Sequence, residues 1–197
     1  MYNKERAKSI AKASVINYIP AGITENVKLV SAKVDTSING NDFLEIRFEK
    51  DGAMFVHTEY KPNRTANDTD ETVQKKEDNQ FSRMMQILLV FYKDEQLIFN
   101  GTTFKEFAKE VAAFLNNANK DILVRVKIVY NDNNYTTLPR YTKYTFIEPM
   151  ILPEGETSSI VELSIDKFTK SVVEDKETTV TNPLEPSSAS VTDNLPF

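Results

Sequence analysis

The chain has 197 residues and a net charge of −5, with one histidine and no cysteine. The lack of cysteine excludes disulfide bonds and thiolate metal sites, and a zinc site around His57 alone would need an unusual set of carboxylates. No apolar run approaches the ~20 residues of a membrane span, and the charged first residues lead into no signal peptide. We therefore expect a cytoplasmic protein that binds no membrane, metal or cofactor.

The negative charge is concentrated near the end of the chain. From Pro149 onward there are nine acidic and three basic residues, which leaves 21 bases and 20 acids in the preceding part. The body is thus nearly neutral, and its net charge neither indicates nor excludes nucleic acid as a partner. Local patches must decide that question.

The first predicted elements are a helix from Lys4 to Ile19 and a three-stranded meander. Pro20 ends the helix, because proline cannot continue it. Alternating apolar residues then predict strands near 27–32, 43–48 and 54–59, separated by the turn signals Asn39-Gly40 and Asp51-Gly52. The alternation predicts these core residues: Leu44, Ile46, Phe48, Met54, Val56, Ile122, Val124 and Val126.

Two helices and two strands are predicted next. Residues 63–79 are polar and predict a long loop, and apolar residues at helical spacing follow from Phe81 to Tyr92. Thr103 and Glu106 form a capping-box pattern that opens a second helix, which ends near Asn116-Asn117. Strands are expected at 122–130 and 141–151, with a loop at 131–140 between them, and a short helix at 161–172.

This order of elements predicts a mainly β fold. The order also occurs in small β-rich folds other than the barrel described next. Three strands, a helical insertion and two strands match a five-stranded OB-type barrel with the insertion between its third and fourth strands. The predicted division is an N-terminal helix (1–22), an OB-fold domain (23–152), a short appended segment (153–173) and a disordered acidic tail (174–197).

The last residues carry the most specific pattern. Asp193 precedes Leu195-Pro196-Phe197, an apolar tip with a terminal aromatic and carboxylate on an acidic segment. Such a tip can insert Phe197 into an apolar pocket while a basic rim receives the carboxylates. It resembles the C-terminal tip of bacterial single-stranded-DNA-binding proteins, although only one acid lies in the last five residues, where that family usually has a run. The alternative is a frayed terminus with a chance phenylalanine.

A second pattern lies in the predicted loop at 131–140 and the strand after it. Tyr135, Tyr141 and Tyr144 alternate with Arg140 and Lys143. Bases stack on aromatic faces at ~1–3 kcal/mol each, while cations follow the phosphates. The segment resembles those of phage-encoded single-stranded-DNA-binding proteins, and in an OB barrel it would be the strand-binding loop between the fourth and fifth strands. Alternatively, the tyrosines pack on the exterior of the barrel.

A third set of candidates is expected to point outward from the strands. Phe43 and Arg47 would lie on the second strand, Phe55 on the third, and Arg125 and Lys127 on the fourth. Exposed phenylalanine beside arginine suits unstacked bases. The alternative for the two phenylalanines is packing beneath the helices.

Together these patterns predict a non-enzymatic protein that binds and protects single-stranded DNA in phage replication or recombination, without sequence preference. The tail would recruit replication proteins such as a polymerase, helicase, primase or nuclease. The chain has no glycine-rich phosphate loop and no His-Glu metal pattern. The main alternative is a virion or adaptor protein that uses a β-barrel for protein contacts. A second alternative is a metal-dependent nuclease, and the lack of an ordered cluster of acidic residues argues against it.

Overall fold

The computed structural model describes residues 17–171, and residues 1–16 and 172–197 lie outside that range. The strands are β1 (Gly22–Thr36), β2 (Asp42–Lys50), β3 (Ala53–Tyr60), β4 (Leu123–Tyr130), β5 (Thr136–Thr137) and β6 (Ile147–Pro149), and the helices are α1 (Asp70–Leu88) and α2 (Phe104–Asn117). All strands join one antiparallel sheet in the order β3-β2-β1-β4-β5, with β6 also paired to β4. The prediction of a mainly β fold with helices between the third and fourth strands is confirmed. The sheet has six strands rather than five, and the described strands do not close it.

The long strand β1 joins the two halves of the sheet. Its first part pairs with β4 and most of its length pairs with β2, with irregularities between Thr24 and Val27 and between Leu29 and Ser31. Such bulges bend a strand and increase its twist. Beyond the β4 pairing, the Asn116 amide of α2 accepts from the Ala32 N–H at 2.9 Å and donates to its carbonyl at 2.8 Å. One side chain thereby anchors α2 to the sheet.

A two-residue turn fixes the register of the β2–β3 hairpin. Asp51 and Gly52 both have positive φ, 51° and 80°, as the favoured hairpin turns require. Lys50 therefore pairs with Ala53, and counting back along the strands places Phe48 opposite Phe55. The two rings stack with centroids 5.8 Å apart in the core.

This register reverses the predicted faces of β3. Phe55, His57 and Glu59 face inward and are buried, whereas Met54 and Val56 are only half-buried. The expectation that Phe55 points outward is therefore wrong. Alternation alone could not choose the face, because both sets contain large apolar residues.

Helix α1 begins eleven residues before the predicted start at Phe81. The predicted loop at 63–79 is therefore wrong from Asp70 onward. Val73 is the one apolar residue between 70 and 79, so this half of the helix has no apolar stripe to detect. It is supported instead by Thr69, which caps the Thr72 N–H, by acids in the first turn, and by a Gln74–Asp78 side-chain hydrogen bond of 2.9 Å.

The prediction of a second helix that opens with a capping box and ends near Asn116-Asn117 is confirmed by α2. The Thr103 hydroxyl accepts from the Glu106 N–H at 3.3 Å, and the Glu106 carboxylate accepts from the Thr103 N–H at 3.1 Å. Hydrogen bonds from the Thr102 backbone and from Thr103 lower the pKa of Glu106. The helix buries Ala108, Val111, Ala112 and Leu115 against the sheet.

Replacing Thr103 by Ala should lower the free energy of unfolding by about 1 kcal/mol, because the helix loses its N-cap acceptor. Urea denaturation measures the change. The matched control is Thr102→Ala, which removes a neighbouring hydroxyl that accepts no helix N–H. An equal loss in the two variants would contradict a specific role for the cap.

The remaining elements differ from their predictions. The expected strand at 141–151 is reduced to β6, and β5 lies within the expected loop at 131–140. Residues 17–19 are extended and bridge β3 at Met54 instead of continuing a helix, and the segment 161–171 contains turns but no helix. Most of the N-terminal helix and the acidic tail at 174–197 fall outside the described residues. Neither helix between residues 17 and 171 has the length and apolarity that a bilayer crossing needs.

Candidate functional site

A groove of about 1120 Å³ opens where β2 begins and β3 ends. One wall is the β1–β2 turn, and another comprises the end of β3 with residues 61–64. The middle of α1 and the start of α2 form the opposite side, and Thr137 and Arg140 complete it. Five separate chain segments thus converge on one concave surface.

Most of the charged side chains that line the groove are cationic. Its charged lining residues are Lys61, Arg64, Lys76, Arg83, Lys105 and Arg140, with Asp42 and Glu59. Four of the cations form ion pairs: Arg64–Asp70, Lys76–Asp68, Arg83–Glu59 and Lys105–Asp42. The ion pairs among residues 17–171 include neither Lys61 nor Arg140. The groove can therefore attract anions, with these two cations the most available.

An aromatic pair lies at the mouth of the groove. Phe43 and Tyr60 are cross-strand partners on the outer face of β2 and β3, with ring centroids 5.4 Å apart. Tyr60 is 50% exposed, and half-buried Phe104 lines the other side of the groove. Exposed rings beside cations provide stacking surfaces for bases or other planar groups. Phe43 is one of the predicted DNA-binding residues and Tyr60 is not, although the Asp51-Gly52 turn places the two residues opposite each other.

The floor of the groove is a buried polar network centred on Glu59. The Arg83 guanidinium donates to both carboxylate oxygens at 3.0 Å, and Gln80 donates to one of them at 2.8 Å. His57 Nε2 lies 3.1 Å from the same carboxylate. Burial would raise the pKa of Glu59, but hydrogen bonds from His57 and Arg83 and the charge of the Arg83 guanidinium hold it well below its usual range. Glu59 is thus an ionised acceptor that fixes Arg83.

His57 also connects β3 to the segment beyond β5. Its Nδ1 accepts from the Leu138 N–H at 3.3 Å and lies 3.2 Å from the Thr137 hydroxyl. The Nε2 proton of the neutral ring then points to Glu59. In the described residues no backbone ladder joins β3 to β5, and the His57 side chain bridges these two strands instead. Its role is structural.

The aromatic residues after β4 are only partly brought together. Tyr135 is 71% exposed at the turn before β5. Tyr141 and Tyr144 meet edge to face with centroids 5.6 Å apart, and Lys143 Nζ lies 5.9 Å from the Tyr144 ring centroid. Arg140 is exposed and lines the groove. These residues extend the cationic and aromatic surface beyond the groove.

Two strand candidates on β4 have other partners. Lys127 is fully buried, and its ammonium donates to the Tyr141 hydroxyl and to Asp166, each at 2.8 Å. The prediction that Lys127 faces outward is wrong, because residues that follow β6 cover that face of β4. Arg125 is held between Glu25 and Glu148. It has little free charge to offer a ligand.

Other candidates retain their expected exposure or lie outside the described residues. Arg47 is exposed on the outer face of β2 and pairs with Glu45 at 2.7 Å. The tip residues Asp193, Leu195, Pro196 and Phe197 fall beyond residue 171. Between residues 17 and 171, no group of three or more metal-ligating side chains could hold an ion.

No protein-family model matches this chain, and no curated protein matches it either. What the groove and the adjoining tyrosine segment can bind must therefore be inferred from their own chemistry.

Proposed function

We propose that this protein binds single-stranded DNA without sequence preference and protects exposed strands during replication or recombination. The observation that carries the proposal is the exposed Tyr60 ring, packed on half-buried Phe43, in a groove lined by six cations and two carboxylates. Unstacked bases gain free energy on aromatic faces, and phosphates gain it from nearby cations. A duplex hides its base faces, so a stacking surface favours single strands. The protein would act by binding rather than catalysis.

We further propose that the open sheet is a partly open OB-type barrel. In OB folds, the face of strands 2 and 3 and the loops between strands 1–2 and 4–5 bind oligonucleotides. Here the groove is bordered by the β1–β2 turn, by the end of β3 and by Thr137 and Arg140 from the region after β4. The bulged strand β1 and the His57 bridge to Leu138 support this interpretation, since both bring the ends of the sheet together.

The C-terminal tip adds a proposed role in recruitment. Leu195-Pro196-Phe197 on an acidic segment would dock replication proteins such as a polymerase, helicase, primase or nuclease. The support is the sequence pattern and its resemblance to bacterial single-stranded-DNA-binding proteins. A phage-encoded protein of this kind would act in the cytoplasm of the infected cell.

Titration with oligo-dT, followed by intrinsic tyrosine fluorescence, tests the proposal directly, because the chain has eight Tyr and no Trp. Contacts to about three to five phosphates should give a slope of about −2 to −3.5 when log K is plotted against log salt. Arg140→Gln should make this slope shallower, since it removes a cation without an ion-pair partner among the described residues. Lys28→Gln, outside the groove, is the matched control. Binding that ignores salt, or no binding at all, would overturn the proposal.

One observation favours the adaptor alternative. Phe81, Phe99, Phe107 and Phe114 form a chain of rings along the helices, with neighbouring centroids 5.4–5.6 Å apart. Phe81 is 41% exposed and Ile98 is 67% exposed. Such a surface suits a protein partner. If oligo-dT fails to bind while Phe81→Ser abolishes a protein complex, the adaptor function replaces the one proposed.

A further inference from the structure

The segment 160–171, called the strap below, runs beside the β4–β5 hairpin and holds it at several levels. At the centre, the Tyr130 N–H donates to the Lys167 carbonyl at 2.8 Å. At the tip of the hairpin, Asn134 exchanges two hydrogen bonds with the Ser171 backbone, at 3.0 and 2.8 Å. Between these, Lys167 pairs with Asp132. The strap is therefore joined to the hairpin along its length.

The strap also supplies the counter-charge of a buried cation. Lys127 Nζ donates to Asp166, to the Tyr141 hydroxyl and to the Val161 carbonyl. The Tyr141 hydroxyl donates in turn to the other oxygen of Asp166 at 3.1 Å. The Leu163 N–H donates to Asp166 at 2.8 Å. Burial and the charge of Asp166 raise the pKa of the Tyr141 hydroxyl, which keeps its proton available for this bond.

The cluster of Lys127, Asp166 and the Tyr141 hydroxyl adjoins the exposed surface through the Tyr141 ring. Tyr141 packs edge to face on Tyr144, which is 41% exposed, and Lys143 lies over the Tyr144 ring. The backbone of this segment is held from the other side by α1, because Gln86 donates to the Thr142 carbonyl at 3.1 Å and Arg83 donates to the Arg140 carbonyl at 3.3 Å. The orientation of Tyr144 thus depends on a Tyr141 ring whose hydroxyl is fixed from within.

We propose that the strap positions the strand-binding segment 140–144, and that Asp166 is its positioning residue, acting through the Tyr141 hydroxyl on Tyr144 and Lys143. Tyr141 is then a half-buried support for Tyr144 instead of a stacking platform for bases. The inference rests on the proposed function for its effect on DNA, but the positioning itself can be observed without DNA.

The first test uses the free protein. In full-length chains with ¹³C-labelled tyrosine rings, Asp166→Asn and the milder Tyr141→Phe should shift or broaden the Tyr144 signals and leave those of Tyr60 unchanged. The Tyr60 signals report overall folding, because Tyr60 lies on β3 and outside the contacts of the strap. If the Tyr144 signals stay as in the parent protein in both variants, the positioning role is overturned whether or not the protein binds DNA.

The second test is a double-mutant cycle on oligo-dT affinity. Tyr141→Phe should weaken binding about three- to tenfold in the parent background and have little effect when Tyr144 is already alanine, because the two residues act through one contact. General destabilisation would give equal effects in both backgrounds. If the parent binds oligo-dT and Tyr141→Phe changes nothing, the inference fails while the proposed function stands. If the parent itself does not bind, the proposed function fails, and the tyrosine signals still decide the positioning role.

Discussion

Replacing Glu59 by Gln should lower the free energy of unfolding by about 3–5 kcal/mol, which is the cost of leaving one partner of a buried ion pair without its counter-charge. Arg83 donates to both oxygens of this carboxylate, and His57 and Gln80 contact it as well. The neutral amide keeps the shape of the side chain but presents an NH₂ group where one acceptor oxygen was. The guanidinium would then remain buried and only partly paired. Urea denaturation of the parent and the variant at neutral pH measures the difference.

The same substitution should change how stability depends on pH. The pKa of Glu59 in the folded protein lies well below the ordinary value of 4.5. A carboxylate of this kind stabilises the fold at pH values above its ordinary pKa, and this contribution is lost as the pH falls below about 4.5. The Gln variant lacks that titration, so its stability should fall less steeply than that of the parent on acidification. If the stabilities of parent and variant fall in parallel on acidification, Glu59 is not the group that causes the loss of stability at low pH.

A matched control separates the effect on stability of losing a buried carboxylate from that of losing an exposed one. Asp132 forms an ion pair with Lys167, but its side chain is 92% exposed. Asp132→Asn removes a carboxylate just as Glu59→Gln does, yet water solvates the remaining partner. Its unfolding midpoint should stay close to that of the parent. A loss as large as that of Glu59→Gln would mean that the buried network has no special role.

Removing the aromatic pair should have the largest effect on DNA binding. The double variant Phe43→Ala/Tyr60→Ala should lose about 1–3 kcal/mol for each base that no longer stacks. The slope against salt should stay the same, because no cation is removed. Oligo-dT affinity at several salt concentrations, measured by competition with a labelled strand, checks both expectations. Competition is needed because the variant loses one of the tyrosines that report binding.

Tyr18→Ala is the control for this variant. Tyr18 is 61% exposed and bridges β3 at Met54, near the opposite end of that strand from Tyr60. It is as large and as exposed as Tyr60 but lies outside the groove. Equal losses of affinity from the control and from the double variant would show that the groove is not where the strand binds.

Much of the fold follows from local signals in the sequence. The turn at Asp51-Gly52, the capping box of Thr103 and Glu106, and the alternating strands each correspond to an observed element. A two-residue turn after Lys50 pairs Lys50 with Ala53, and this pair fixes every other pair in the β2–β3 hairpin. Counting these pairs places Phe55 beside Phe48 in the core and Tyr60 beside Phe43.

Other features depend on contacts that no local pattern contains. The alternation of β4 suggested one solvated face, but residues that follow β6 cover that face, and Lys127 is buried against Asp166. The first half of α1 is nearly devoid of apolar residues, so only its cap and side-chain bonds indicate a helix. The cation-lined groove likewise appears only when five segments converge.

The burial of Lys127 also constrains when the protein can finish folding. Its counter-charge, Asp166, is made 39 residues later, which corresponds to about 2–8 s of synthesis. Until then, the face of β4 that carries Lys127 lacks both its cover and the carboxylate that pairs with the ammonium ion. The nascent chain must therefore wait with that face of the sheet uncovered, and surface left exposed in this way promotes aggregation. Chains that end before Asp166 should accumulate as insoluble protein, whereas those that continue past Ser171 should not.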